Sequence, residues 1–343
     1  MPVPCPDTIP AYYTTTLHII AGFSLPINLV GFWLVLFKSP GMFGYKYCLI
    51  YMQLISFLTE AHMSFICPGY YFFPMVGGYN TGEFFGQFIS SHLSMSLWVW
   101  VFCFELAAGL CCFVYRHNAA AQISQTYSSK LYVEKVLITL THIFPFVTGI
   151  SLWNAQLTSQ QKYDFLKANY PQCLSWLNVQ GFEVYDHRLN PWLAVTGLGA
   201  FSWVFLIGWY CFGLGVHTMV ILQRLRQHMS SHTYRAHKTA LISLAMQLVV
   251  PGVLIIVPMN SCMYVVLTDS TGLQELATDT MFLVGSHSMC QCTVMIMSNA
   301  AYRRILKEKA WKMFRIDLLT NRQYGSSVEP SMRTSSFVRA HRV

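Results

Sequence analysis

The chain has 343 residues, of which 54% are hydrophobic, 15% aromatic and only 10% charged, with a formal net charge of +8. An ordinary soluble domain carries about 25% charged residues, so too few charges are present to wet a globular surface, and the apolar residues come in runs of about 20, the length that spans a bilayer as a helix. That excludes a soluble protein with one large core, and the cations lie between and after the apolar runs, so the positive charge does not point to nucleic acid.

Seven segments qualify as spans: 14–37, 47–67, 88–115, 133–153, 193–221, 239–267 and 280–298. The first is too long for the core of a signal peptide, and Met1 to Pro6 carries no Lys or Arg, so it is expected to stay in the mature chain. The second holds Glu60 and His62 and runs into an aromatic stretch, 69–79, expected to be a loop lying along the outer interface, where Tyr and Trp favour the mixed environment. In the third, Glu105 lies ~16 Å above Arg116 and in the second Glu60 lies ~21 Å above Lys46 at 1.5 Å per residue. An ionisable group at such depth is costly and marks a functional candidate. Histidines 18, 62, 92, 142, 217 and 287 also recur in the spans. They read as hydrogen-bonded packing groups, since no pair has the H-E-x-x-H spacing of a metal site; no metal and no cofactor is expected. The sixth span carries Gln247, Pro251 and Pro258. Prolines seven residues apart remove backbone bonds on roughly one face, so this helix should bend, with Gln247 supplying donors to the freed carbonyls.

The loops holding Lys38 and Lys46, then Arg116, Lys130 and Lys135, then Arg224, Arg226, Arg235 and Lys238, share one side with the C-terminal segment. That side has nineteen Lys and Arg against three, Lys162, Lys167 and Arg188, on the other. Positive charge stays inside, so the N-terminus should be outside and the C-terminus cytoplasmic. After the last span, Tyr302, Ile305, Leu306, Met313 and Phe314 share a helical face opposite basic residues, a pattern that lies along an anionic leaflet. Residues 1–316 are therefore expected to form the membrane domain with this juxtamembrane helix. Residues 317–343 form a basic, Ser/Thr-rich tail expected to be disordered. Of eleven cysteines, Cys103, Cys111, Cys112, Cys211, Cys290 and Cys292 read as small buried hydrophobes. Only Cys5, Cys67 and Cys173 can reach the oxidising side. Cys5–Cys173 is the expected bridge and Cys67–Cys173 the second choice.

Seven spans with the N-terminus outside, Tyr115-Arg116-His117 at the inner end of the third, and a bent sixth resemble G-protein-coupled receptors. More narrowly, several strings resemble the nematode serpentine chemoreceptors of the Sri branch, with Srh next. They are His18 with Ser24, Pro26 and Asn28; Phe37-Lys38-Ser39-Pro40 followed by Met42 and Tyr45-Lys46-Tyr47; Tyr170-Pro171-Gln172-Cys173-Leu174; Gln247, Pro251 and Pro258; and Asn299-Ala300-Ala301-Tyr302-Arg303. The resemblance covers the chain to about Phe314. It implies an all-α seven-transmembrane bundle that is not an enzyme, embedded in the lipid bilayer of the plasma membrane, in a sensory cilium. A small external ligand would bias two states of the bundle, and a heterotrimeric G protein would read them.

The ligand set expected from depth and polarity is Glu60, His62, His92, Trp98, Glu105, Met259, Asn260 and His287. The coupling set is Arg116, Arg224, Arg226, Tyr302 and Arg303. Two departures stand out. Val114 and Tyr115 precede Arg116 where rhodopsin-like receptors carry an acid, which leaves Glu134 as a candidate partner, and Ala300 replaces a proline. The seventh span has no Lys to hold retinal, so a light receptor is not expected. A secondary transporter would show paired repeats, and a ligand-gated channel of the insect odorant type would place the N-terminus inside.

Overall fold

A computed structural model describes residues 9–39, 44–81, 84–124 and 131–312. Cys5 and the tail 317–343 lie outside the described residues. The chain divides into two units, one ending at Asn299 and the other starting at Ala300.

The first unit is a bundle of seven spans. Among the described residues six helices are long and apolar enough to cross a bilayer, and the seventh span consists of two helical parts bent by 44° at a short break. The first span is α1 (Ala11–Phe37), and the second is α2 (Tyr45–Ala61) continued by a π-helical turn, His62–Ile66. The third is α3 (Ser91–Ser124) and the fourth α4 (Leu131–Trp153). A connecting helix, α5 (Ser159–Asn169), precedes the fifth span, α6 (Trp192–Leu225). The sixth is α7 (Ser231–Pro251), a π-helical turn (Gly252–Ile256) and α8 (Val257–Thr268). The seventh comprises α9 (Gln274–Asp279), α10 (Met281–Val284) and α11 (His287–Ser298). Along the spans, Thr and Ser hydroxyls bond the carbonyl one turn back, as at Thr16, Thr59, Thr141, Thr196, Thr218 and Thr293. In lipid this supplies the partner that water cannot. Outward-facing side chains such as Phe23, Ile150, Phe201 and Trp209 are more than half exposed, which suits hydrocarbon and would not suit water.

Four expectations are corrected. First, α3 runs about two and a half turns beyond Tyr115. The segment from Arg116 to Ser124 is no longer apolar but contains three Ala and a Gln, which favour helix, so Arg116 sits within a helix. Second, the stretch 69–79 is a hairpin. Strands β1 (Gly69–Phe72) and β2 (Gly77–Asn80) pair antiparallel with Tyr70 opposite Tyr79, and β3 (Glu183–Val184) adds to β2. A Cβ at Gly78 would come within 2.5 Å of the Tyr70 carbonyl, so only glycine lets these backbones approach. Third, the seventh span is interrupted at Gly285 and Ser286. Fourth, Gln247 does not serve carbonyls freed by proline. Its Nε2 donates to the carbonyl and hydroxyl of Ser243, whose hydroxyl meets that of Ser298 in the seventh span.

One end of the bundle is closed by a lid with its own core. Tyr13 and Leu17 of α1 meet Tyr70, Phe72, Met75 and Tyr79 of the hairpin, and Leu166, Trp176, Phe182 and Val184 of the connection between α4 and α6. Phe72 stacks on Trp176 at 3.9 Å between ring centroids. The lid is tied to the spans beneath it. Thr278 donates to the Tyr71 carbonyl, Tyr12 to Asp279, and His92 of α3 bonds Tyr185. Within the lid Cys173 is disulfide-bonded, while Cys67 is free.

The second unit is described over a helix at 300–312, α12. Tyr302 is buried and Ile305 and Leu306 half-buried, whereas Arg304, Lys307 and Lys312 are exposed, and Arg304 faces Glu308 one turn on at 3.7 Å. Met313 and Phe314 of the expected apolar face lie outside the described residues.

Candidate functional site

The break in the seventh span places a backbone N–H cluster and a histidine in the bundle interior. α11 starts at His287, so its first amide groups lack helical partners. Glu60 of α2, fully buried, accepts from the Met289 amide at 3.0 Å, a carboxylate at the end of a helix where negative charge is favoured. Its other oxygen, Oε1, has no hydrogen-bond partner among the described residues. His287 Nε2 lies 2.9 Å from Glu105 Oε1 of α3, and its Nδ1 lies 2.6 Å from the Val284 carbonyl. Both ring neighbours are acceptors, so Nδ1 donates to the carbonyl and one proton is shared between Nε2 and the carboxyl. The second, third and seventh spans thus meet at Glu60, Glu105 and His287, three members of the expected ligand set.

Beside this junction, toward the lid, lies an apolar cluster. Trp98 of α3 packs with Met63, Ile255, Cys262, Val265, Ala277, Met281 and Val284, and Met259 is partly buried against it. Trp98 stacks on Phe102 at 5.2 Å, and its indole Nε1 has no hydrogen-bond partner among the described residues. Met281 and Val284 belong to α10, and the Val284 carbonyl holds His287. The apolar cluster and the charged junction therefore share one short stretch of chain.

The other expected ligand residues lie elsewhere. His62 bonds the Ser94 hydroxyl at 3.0 Å. His92 sits higher, between the Trp153 carbonyl and the Tyr185 hydroxyl. Burial and the neighbouring Glu183 push the Tyr185 phenol up, so it keeps its proton and donates to His92 Nδ1, while Nε2 donates to Trp153. Asn260 is a correction: it is exposed and bonds the Ile256 carbonyl of its own helix, so it stands outside the interior set. Polarity without helix phase could not tell the faces of α8 apart.

A polar layer that depth arguments passed over lies toward the other end. Asn28 donates to Ser24, Ser288 donates to Asn28, and Gln53 donates to the Asn28 carbonyl. The layer borders a small cavity lined by Gln53, Gln247, Ser288, Gln291 and Cys292 among others. A Cβ at Gly31 would fall 2.3 Å from both Cys292 Sγ and Gln53 Nε2, so glycine lets the first span close on the second and seventh. The signal for this layer was uncharged polar residues recurring inside apolar runs.

At the basic end, the Arg116 guanidinium lies 3.6 Å over the ring of Tyr45. Glu134 is not its partner: it accepts from Asn118 at 2.8 Å and faces His117 at 3.4 Å, and His117 bonds His217 at 2.9 Å. Arg224 ends α6 and Arg226 lies over Tyr234. Tyr302 and Arg303 belong to α12 of the second unit.

The chain matches the family model described as "Serpentine type 7TM GPCR chemoreceptor Sri" over residues 3–306. A search of curated proteins found no match.

Proposed function

We propose, since the chain belongs to the Sri family of serpentine seven-transmembrane chemoreceptors, that it binds a small external ligand and signals to a heterotrimeric G protein. The chain is an integral membrane protein of a receptor class and not of an enzyme family. In the reading offered here the lid end faces outside, the basic end lies in the cytoplasm, and the membrane is that of a sensory cilium. The nineteen-to-three charge asymmetry supports that orientation.

The observation that carries the reading is the junction of Glu60, Glu105 and His287 under the apolar cluster of Trp98. A ligand seated against Trp98 and Met259 presses on Met281 and Val284, and Val284 is hydrogen-bonded to His287. Differential affinity for two arrangements of this joint shifts the bundle between states. Arg116, Arg224 and Arg226 then serve the cytoplasmic partner, with Tyr302 and Arg303 following on α12. The test is a screen of small organic compounds on cells expressing the chain, read by G-protein activation, with epitope tags before Pro2 and after Val343. Activation, with only the N-terminal tag stained in intact cells, is the expected result. A ligand-evoked current without G-protein activation, or the reverse staining, would refute it.

We assign Cys5 as the partner of Cys173, because Cys67 is free and so are the eight other described cysteines apart from Cys173. Cys173→Ser should lower surface expression by removing about 2–4 kcal/mol of stabilisation, whereas Cys67→Ser should leave it unchanged. Non-reducing peptide mapping checks the pair, and a Cys173 peptide joined to anything but Cys5 sinks the assignment.

A further inference from the structure

We propose that the ligand is an apolar molecule bearing one hydrogen-bond acceptor, and that it reaches Trp98 from the bilayer through the seam between the lid-side halves of the fifth and sixth spans. The proposal rests on the receptor reading and adds the ligand's class and its route.

Three independent observations converge. The direct route from water is shut, because the lid core is fully packed, with Phe72, Met75, Trp176 and Val184 at 2% exposure or less. Sideways the bundle is open. Between residues 192 and 206 of α6 only Thr196 is buried, and its hydroxyl meets Ser151 of the fourth span. This half of the fifth span therefore leans on the fourth, and most of its remaining surface is open. Gly208 of α6 and Gly252 at the sixth-span π-helical turn are half-buried, yet a Cβ on either would meet nothing within 4 Å. Neither glycine is covered by a neighbouring helix, and open space in front of both is what a seam between the two spans requires.

Trp98 supplies the chemistry. It is 9% exposed, surrounded by apolar side chains, and its Nε1–H has no hydrogen-bond partner among the described residues. A buried donor left unmade is costly, and an indole N–H can only donate. A ligand carrying a carbonyl or ether oxygen on an apolar body satisfies the donor and buries its remainder against Met63, Met259 and Met281, thioether side chains that adapt to irregular shapes. Molecules of this kind partition into lipid, which makes the bilayer both their reservoir and their approach.

Benzophenone is a suitable probe: it is apolar, carries one ketone oxygen, and photocrosslinks preferentially to methionine. The full chain in phosphatidylcholine nanodiscs is irradiated with benzophenone or with its charged, water-soluble sulfonate, and adducts are mapped by mass spectrometry. Benzophenone should label Met63, Met259 and Met281, and the sulfonate should not. Gly208→Phe combined with Gly252→Phe should bring that labelling to background while leaving lipid-facing Met263 and Met297, both more than half exposed, labelled as before; a thermal melt matching that of the parent chain in the same nanodiscs shows that the variant is folded. Trp98→Phe keeps the ring and loses the donor, and should weaken interior labelling by about threefold to tenfold. Interior labelling by the sulfonate, or undiminished labelling in the glycine variant, overturns the route. No interior labelling by either probe, or none lost in Trp98→Phe, overturns the ligand class. Because no G protein is needed, these outcomes are separate from failure of the signalling reading.

Discussion

His287→Ala is expected to destabilise the bundle by about 3–5 kcal/mol, the scale for removing one partner of a buried ion pair. Against a total margin of about 5–15 kcal/mol, such a loss depletes most folded receptor from the membrane. Two bonds are lost together: Glu105 loses its partner at 2.9 Å and the Val284 carbonyl loses its donor. Glu105→Gln should cost less, since a neutral amide keeps the shape and still hydrogen-bonds the imidazole. The double variant His287→Gln with Glu105→Gln removes both charges and should recover much of the single His287→Gln loss. A double-mutant cycle on thermal stability in nanodiscs measures that coupling. Strict additivity of the two single losses would show that the residues do not act as a pair.

Arg116→Ala is expected to abolish G-protein activation at an unchanged surface level. Arg116 stands inside α3, stacked on Tyr45 of the second span, with its Nε buried and without a hydrogen-bond partner among the described residues. Glu134, in the first turn of the fourth span, is engaged by Asn118 and His117. The guanidinium is thus held by a ring face, an attraction of about 0.5–2 kcal/mol, which is weak enough for a cytoplasmic partner to draw it away. Arg116→Lys keeps the charge and loses the planar fork, so it should restore signalling only in part. Tyr45→Leu should raise basal activity by releasing the guanidinium, and Tyr45→Phe, which keeps the ring, should not. Surface staining and G-protein activation are measured side by side for all four. Full signalling by the Ala variant at matched surface level would end the coupling role.

The number of spans, the all-α membrane class and the family were legible in the sequence, because each follows from one-dimensional quantities. A run of about 20 apolar residues has to be helical in lipid, where no water is available for the backbone. Glu60, Glu105 and His287 were legible as candidates for the same reason: a charge in an apolar run is conspicuous at any fold. What tertiary structure alone decided is which of them meet. His287 reaches Glu105, and Glu60 reaches the Met289 amide, because Gly285 and Ser286 interrupt a span whose hydropathy looks continuous. Asn260 left the interior because the phase of α8 turns it outward, and Arg116 met Tyr45 instead of Glu134 because α3 continues past the apolar stretch. The hairpin 69–80 folded over the bundle only because β3, more than a hundred residues later, completes its sheet and Trp176 stacks on Phe72. Hydropathy reports the cost of placing each residue in lipid; pairing between helices depends on rotation and breaks, and neither leaves a mark in a local average.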